Sequence, residues 1–135
     1  MTAYLLDTNH LGAALDDNSI VYERVVAARR EGSRVGTCYP VLCELAVGLE
    51  QTARRDQNWK ALRVFLKQIR IWPIDLRTVR LYGELYQELR SIGRVLSQVD
   101  VMVAALSCRM RLTVLTTDGD FEAIGGLRTE NWLVR

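Results

Sequence analysis

Short apolar runs alternate along the chain with longer segments in which apolar residues recur every three or four positions. The short runs predict strands at residues 3–6, 34–38, 71–74, 112–115 and 127–132, the third restricted by Pro73 to a sheet edge or strand end. The longer segments predict helices at residues 8–15, 19–31, 40–49, 56–69, 75–91 and 97–110, with a helical turn at 121–124. This alternation predicts an α/β sandwich around a mostly parallel sheet of about four or five strands.

Individual side chains follow from the same periodicity. Five residues of the 75–91 helix are expected to face the core: Leu76, Val79, Tyr82, Tyr86 and Leu89. Cys43 and Cys108 lie in apolar helical segments and are predicted to be small core residues. His10, the only histidine, is predicted to lie on a helix surface, and by itself it cannot build a zinc site.

The composition is that of a folded globular protein. The chain has 135 residues, which suits one domain over residues 1–135, with 49% apolar and 25% charged residues. The longest apolar runs, such as 101–106, are far too short to span a membrane, and the N-terminus resembles no signal peptide. Three cysteines without a CxxC pair favour reduced thiols, and therefore a cytoplasmic protein.

Charge is distributed unevenly. Residues 51–94 contain ten basic and four acidic residues, a net charge of +6, so the rest of the chain carries −4 of the overall +2. This separation fits an acidic metal pocket beside a flank that binds a polyanion. Taken alone, it fits equally well with ordinary solvated helix faces, which are the more common cause of such a pattern.

Carboxylates occur at strand ends and helix starts in stretches that contain no basic residue. Asp7 and Asp118 directly follow predicted strands, Asp100 lies in the first turn of a helix, and Glu44 has no charged partner at helical spacing. The carboxyl ends of parallel strands meet at one sheet edge, so these acids are expected to converge there. Asp7, Asp100 and Asp118 each have a simpler reading as a helix cap or turn residue, and the structural alternative is weakest for Glu44.

Converging carboxylates without a cationic neighbour need protons or metal ions to offset their repulsion. Oxygen ligands without His or Cys select Mg²⁺ or Mn²⁺ over zinc. A carboxylate-held Mg²⁺ can activate water and neutralise charge on a phosphate, so phosphodiester hydrolysis is the predicted reaction.

Four segments carry a family resemblance across the whole chain. The residues Tyr4-Leu5-Leu6-Asp7-Thr8-Asn9 resemble the opening of PIN-domain nucleases, specifically VapC-like toxins of bacterial toxin–antitoxin pairs. The segments at 41–49, 100–105 and 115–121 are similar to the family's second, third and fourth motifs, and Gly126-Leu127 with Trp132 matches its tail. One departure is Met102-Val103, which replaces the commoner Ile-Ala.

This resemblance implies a PIN-like α/β/α sandwich and a magnesium-dependent endoribonuclease. It implies that Asp7 and Asp100 are the principal metal ligands, and that Glu44 and Asp118 complete the acidic pocket directly or through water. The fourth motif also contains Asp120, which is ranked second because Asp118 follows the strand directly. Thr8, Asn9 and Thr116 are expected to position the pocket, with the Thr8 hydroxyl and the Asn9 amide bonding the carboxylates.

The resemblance further implies an RNA substrate, a small antitoxin partner and a homodimer. The basic 51–94 region would then contact either RNA phosphates or the antitoxin. The alternatives are a PIN-fold RNA-processing nuclease without an antitoxin and a non-catalytic PIN-fold interaction domain.

Three other α/β classes fit less well. A haloacid-dehalogenase-like phosphatase needs an Asp where this chain has Asn9, and a receiver domain needs a lysine that residues 112–126 do not contain. A dinucleotide-binding domain needs a GxGxxG motif after the first strand, which is absent here.

Overall fold

The computed structural model describes residues 2–134, in which parallel strands form a five-stranded central sheet. The strands are β1 (Ala3–Leu6), β2 (Arg34–Thr37), β3 (Arg70–Ile71), β4 (Thr113–Leu115) and β5 (Arg128–Glu130). Their order across the sheet is β3-β2-β1-β4-β5, and every neighbouring pair is parallel. The predicted α/β class with a parallel sheet is confirmed.

Within the described residues, six α-helices connect the strands and pack around them. They are α1 (Thr8–Ala14), α2 (Ile20–Arg30), α3 (Tyr39–Glu50), α4 (Arg55–Leu66), α5 (Leu76–Ser91) and α6 (Gln98–Met110). A 3₁₀ turn follows at Gly119–Ala123. The side chains of Ser19, Asp75 and Ser97 cap α2, α5 and α6, each accepting a hydrogen bond from the amide three residues later. Within residues 2–134, no helix is long and apolar enough to cross a membrane.

The direction in which strands are added to the sheet reverses between β1 and β4. From the central β1 the chain adds β2 and β3 on one side, and later β4 and β5 on the other. Open parallel sheets bind ligands at the carboxyl ends of the strands at such a reversal. The loops there are fixed by backbone hydrogen bonds, from Asp7 N to Leu115 O and from Thr116 N to Glu130 O, both 3.0 Å. Side chains that follow β1 and β4 are therefore held on rigid backbone.

The face of α5 that packs inward differs from the prediction. Leu89 is buried and Tyr82 and Tyr86 are partly buried, but Leu76 is 85% exposed and Val79 50% exposed. The buried residue in the first turn is Thr78, whose hydroxyl accepts a 3.0 Å hydrogen bond from Arg109 Nε on α6. Because this polar contact fixes the rotation of the helix start, the two apolar residues of the first turn face outward.

Two predictions about single side chains are wrong. His10 is fully buried rather than at the surface, and its Nε2 accepts a 2.9 Å hydrogen bond from the Trp132 amide. Burial lowers the pKa of His10 to about 4, so the ring is neutral near pH 7. Cys43 is exposed rather than in the core, because the buried stripe of α3 runs through Val41 and Leu45 and leaves Cys43 on the other side. Cys108 is half-buried.

The third strand begins one residue earlier and is shorter than the predicted 71–74. Its place is determined by Trp72, which is buried just after the strand, over Gly36 of β2. A Cβ atom at Gly36 would lie 2.5 Å from the Arg70 carbonyl oxygen and 2.7 Å from the Trp72 ring. Only glycine allows β2 and this segment to approach so closely. The last strand is likewise shorter than predicted, at 128–130 instead of 127–132.

Candidate active site

A cleft of about 200 Å³ opens at the carboxyl edge of the sheet, where β1 and β4 end. Four of the five predicted acids line it, from four separate parts of the chain: Asp7, Glu44, Asp100 and Asp118. The loops after β1 and β4 supply the first and last, while α3 and α6 supply the middle two. The structure thus brings these four acids together, and we call the space between them the carboxylate cleft.

Asp7 is the most enclosed of the four acids, with only 8% of its surface exposed. It occupies the N-cap position of α1, but its side chain makes no capping hydrogen bond. Its Oδ2 accepts a 2.9 Å hydrogen bond from the Thr116 hydroxyl, while the buried Oδ1 has no partner within residues 2–134. The sequence left open that the Asp7 side chain caps α1, and the structure shows that it does not. A buried carboxylate oxygen without a donor is costly unless it binds a proton or a cation.

Burial and mutual repulsion raise the pKa of two of the acids. Burial is the main cause of the raised pKa of Asp7. The nearby Thr8 backbone amide and the Thr116 hydroxyl oppose the rise, and the charges of Glu44 and Asp118 add to it. The pKa of Asp100 rises to about 6, again chiefly through burial, with a hydrogen bond to Ser97 opposing the rise and three neighbouring carboxylates adding to it. Positive charge placed in the cleft would relieve both effects.

Glu44 and Asp118 are held at the more open side of the cleft. Glu44 is exposed, and its Oε1 accepts a hydrogen bond from the Thr8 hydroxyl. Asp118 is half-buried, and its Oδ1 accepts a 2.8 Å hydrogen bond from the Asp120 amide. This contact confirms the predicted turn role of Asp118 and also fixes its carboxylate at the cleft. Asp120 is exposed and does not line the cleft.

Hydrogen bonds from hydroxyl groups hold the acids at the sheet edge. The hydrogen bond made by Asn9 differs from the prediction. The Asn9 amide donates a 3.0 Å hydrogen bond to the Thr117 hydroxyl and not to a carboxylate. Thr117 and Ser97 both line the cleft, although the sequence singled out neither as a site residue. Ser97 was recognised only as a helix cap, and its hydroxyl does accept the Asp100 amide hydrogen at 3.1 Å. Ser97 therefore both caps α6 and lines the carboxylate cleft.

No basic side chain neutralises the cleft within residues 2–134. The ion pairs found there are Arg80–Glu84 and Arg109–Asp75, which involve none of the four acids. The acids also do not form a closed coordination shell, since no three His, Cys, Asp or Glu side chains of this range converge tightly enough. An ion in the cleft would therefore keep water or substrate oxygens among its ligands, as Mg²⁺ commonly does.

Comparisons with known proteins identify the family. The model of the PIN domain matches residues 4–127, nearly the whole chain. The chain belongs to the PIN-domain family, as a VapC-like ribonuclease. Nucleases of this family depend on divalent metal ions, which agrees with the carboxylate cleft.

Relatives support this placement over most of the chain. The chain is 27% identical to Ribonuclease VapC2 of Rickettsia felis over 96% of its own length and 97% of the relative's. It is 30% identical to the tRNA(fMet)-specific endonuclease VapC of Shigella flexneri, over 67% of this chain and 70% of the relative.

A solved structure supports the fold in the same way. The crystal structure of VapBC2 from Rickettsia felis, bound to a DNA fragment from its promoter, matches with a TM-score of 0.86. Sequence identity there is 26%, covering 97% of this chain and 99% of the other.

Proposed function

We propose that this PIN-domain protein is a Mg²⁺-dependent endoribonuclease and the toxin of a toxin–antitoxin pair. The observation that carries the proposal is the convergence of Asp7, Glu44, Asp100 and Asp118 on one cleft without a basic neighbour. We assign Asp7 and Asp100 as the principal ligands of the ion, and Glu44 and Asp118 as ligands directly or through water.

The chemistry of the donor set supports magnesium, with manganese as the other suitable ion. The cleft offers carboxylate and hydroxyl oxygens, and neither a histidine nor a cysteine lines it. Such donors suit hard cations and select against zinc. The unpartnered Oδ1 of Asp7 is an anionic oxygen that an ion would satisfy.

The protein's own groups have separate tasks in this mechanism. Thr116 orients Asp7 by donating to Oδ2, which leaves Oδ1 free to bind the ion. Thr8 holds Glu44 at the cleft by donating to its Oε1. When bound, the ion supplies positive charge that polarises the RNA phosphate and lowers the pKa of a water molecule. Glu44 or Asp118, where it contacts the ion only through water, can accept the proton that the attacking water loses.

Cleavage of RNA by the purified protein tests the proposal. We expect cleavage of labelled RNA with Mg²⁺, none with EDTA, and at least a hundredfold slower cleavage by Asp7→Asn. Asp17→Asn is the matched control, because Asp17 is exposed and does not line the cleft. Cleavage by Asp7→Asn at the parent rate would disprove the assignment of Asp7.

A second pair of variants distinguishes the two acids of the fourth motif. Asp118 lines the cleft, whereas Asp120 contributes its backbone amide to Asp118. We therefore expect Asp118→Asn to lose most of its cleavage activity and Asp120→Asn to keep it. The reverse result would assign Asp120 as the fourth acid.

We propose an antitoxin partner because the matched structure from Rickettsia felis is a VapBC antitoxin–toxin complex. We expect expression of this chain to stop bacterial growth, and co-expression of a small protein encoded next to it to restore growth. Growth arrest that the Asp7→Asn variant causes equally would contradict a nuclease toxin. We further propose a homodimer, a cytoplasmic location and one nuclease domain over residues 1–135, the last supported by the single continuous core.

A further inference from the structure

A second cavity lies between the end of α5 and the start of α6. It has a volume of about 380 Å³, within the range of about 300–1,000 Å³ typical of small-molecule sites. Leu89, Leu96 and Val101 form an apolar floor, and Tyr86, Arg90 and Arg94 complete the walls. We call it the α5–α6 cavity.

Residues that are neighbours in the chain line the two cavities at two places. Leu96 lines the α5–α6 cavity and the next residue, Ser97, lines the carboxylate cleft. Likewise Val101 lines the α5–α6 cavity and Asp100 lines the carboxylate cleft. Because consecutive Cα atoms are about 3.8 Å apart, the two cavities lie close enough for neighbouring units of one bound chain to occupy them.

The charges of the two cavities are opposite. Arg90 and Arg94 border the α5–α6 cavity, no acidic residue lines it, and no carboxylate within residues 2–134 forms an ion pair with either arginine. The backbone at Arg94 is held in place, because α5 ends in a Schellman motif. Gly93, at φ +73°, donates to Arg90 O, and the Arg94 amide donates to Leu89 O at 2.8 Å.

We propose that the α5–α6 cavity binds the RNA nucleotide next to the cleaved phosphodiester, an inference that rests on the proposed function. Arg90 and Arg94 hold its phosphate, and the Tyr86 ring with the apolar floor accepts its base. An acidic cleft repels the phosphates on either side of the one being cleaved, and these arginines offset that repulsion. Stacking on an aromatic ring tolerates any base, so the subsite contributes affinity more than sequence choice.

Salt-dependent binding of RNA tests the two arginines. A fluorescently labelled single-stranded RNA is titrated with Asp7→Asn protein in Mg²⁺ between 50 and 200 mM KCl. Adding Arg90→Gln or Arg94→Gln to this protein should weaken binding several-fold. The salt slope, which is the change in log binding constant with log KCl concentration, should become shallower by about 0.7 for each lost phosphate contact. Arg94→Lys should keep the slope. With the cleavage-competent protein, both glutamine variants should raise KM and leave kcat nearly unchanged.

Arg111→Gln is the matched control, since it removes the same charge from the far end of α6, about 20 Å away. It should leave KM and the salt slope at the parent values.

Other results would overturn the subsite. An unchanged salt slope with a lower melting temperature would mean that the arginines only stabilise the end of α5. An equal loss in Arg111→Gln would mean unspecific attraction, and a change of oligomeric state on sedimentation would mean that a second copy covers the cavity. Failure of the proposed function would look different, because the parent protein would then not cleave RNA in Mg²⁺ at all.

A variant of the ring completes the test. Tyr86→Leu should weaken binding about fivefold or more, whereas Tyr86→Phe, which keeps the stacking surface, should bind like the parent. If Tyr86→Leu bound RNA as tightly as the parent, the claim that the base lies on the Tyr86 ring would be wrong.

Discussion

Replacing Asp100 with asparagine should make the metal-free protein more stable at neutral pH. The pKa of Asp100 in the folded protein is about 6, because it is partly buried among other acids, against an ordinary value of 3.8. A raised pKa means that the folded state binds the proton more tightly than the unfolded state does. Folding stability is therefore lost as the pH rises from about 4 to about 6, and the whole penalty is present above pH 6.

The size of the effect follows from that difference. Two pKa units correspond to about 3 kcal/mol at most. Asp100 is half-exposed, so solvent screens part of the penalty, and a gain of about 1–1.5 kcal/mol is the better expectation for Asp100→Asn. With a urea m-value of about 1.5 kcal/mol/M, the unfolding midpoint should rise by roughly 0.7–1 M.

Urea unfolding in EDTA, followed by circular dichroism at pH 7.5 and pH 4, measures this gain. The gain should appear at pH 7.5 and nearly vanish at pH 4. At pH 4 the parent's Asp100 is protonated in the folded state and therefore neutral, like the asparagine of the variant. Asp17→Asn, which changes an exposed acid outside the cleft, should change neither midpoint by more than about 0.3 M. An equal gain at both pH values, or none at pH 7.5, would refute the idea that acidic repulsion destabilises the cleft.

Two further predictions concern the core. Gly36→Ala should cost about 2 kcal/mol or more in urea unfolding, because its Cβ would meet the Arg70 carbonyl and the Trp72 ring. Gly48→Ala, at an open position in the last turn of α3, should be neutral or stabilising, and equal effects of the two changes would refute the close approach at Gly36. His10 has a folded pKa of about 4, below its ordinary 6.5, so its neutral form favours folding above pH 6.5 and that stability is lost as the pH falls to 4. His10→Gln should accordingly lose less stability than the parent between pH 7 and pH 4.5, and a parallel loss would show that His10 is not responsible.

Much of the fold could be predicted from the sequence because local patterns determine it. The alternation of apolar runs and amphipathic segments located every strand and helix to within a few residues, and Ser19, Asp75 and Ser97 do cap their helices. The positions of acids at strand ends and helix starts predicted the carboxylate cleft, since parallel strands bring their carboxyl ends to one edge.

The errors arose where a distant partner decides the outcome. His10 is buried with its Nε2 bonded by the backbone amide of Trp132, which lies 122 residues away. The rotation of α5 depends on Arg109, which lies on another helix and bonds Thr78. Neither partner is visible in the local periodicity from which the surface and core positions were predicted.

Direct measurement of divalent-ion binding tests the central claim that the four converging acids hold a metal ion. Free Mn²⁺ can be followed by its electron paramagnetic resonance signal while protein is added, and Mg²⁺ can then be added to displace it. The parent should bind Mn²⁺ and release it to Mg²⁺, while Asp7→Asn and Asp100→Asn should each bind at least tenfold more weakly. Unchanged Mn²⁺ affinity in both variants would contradict the account.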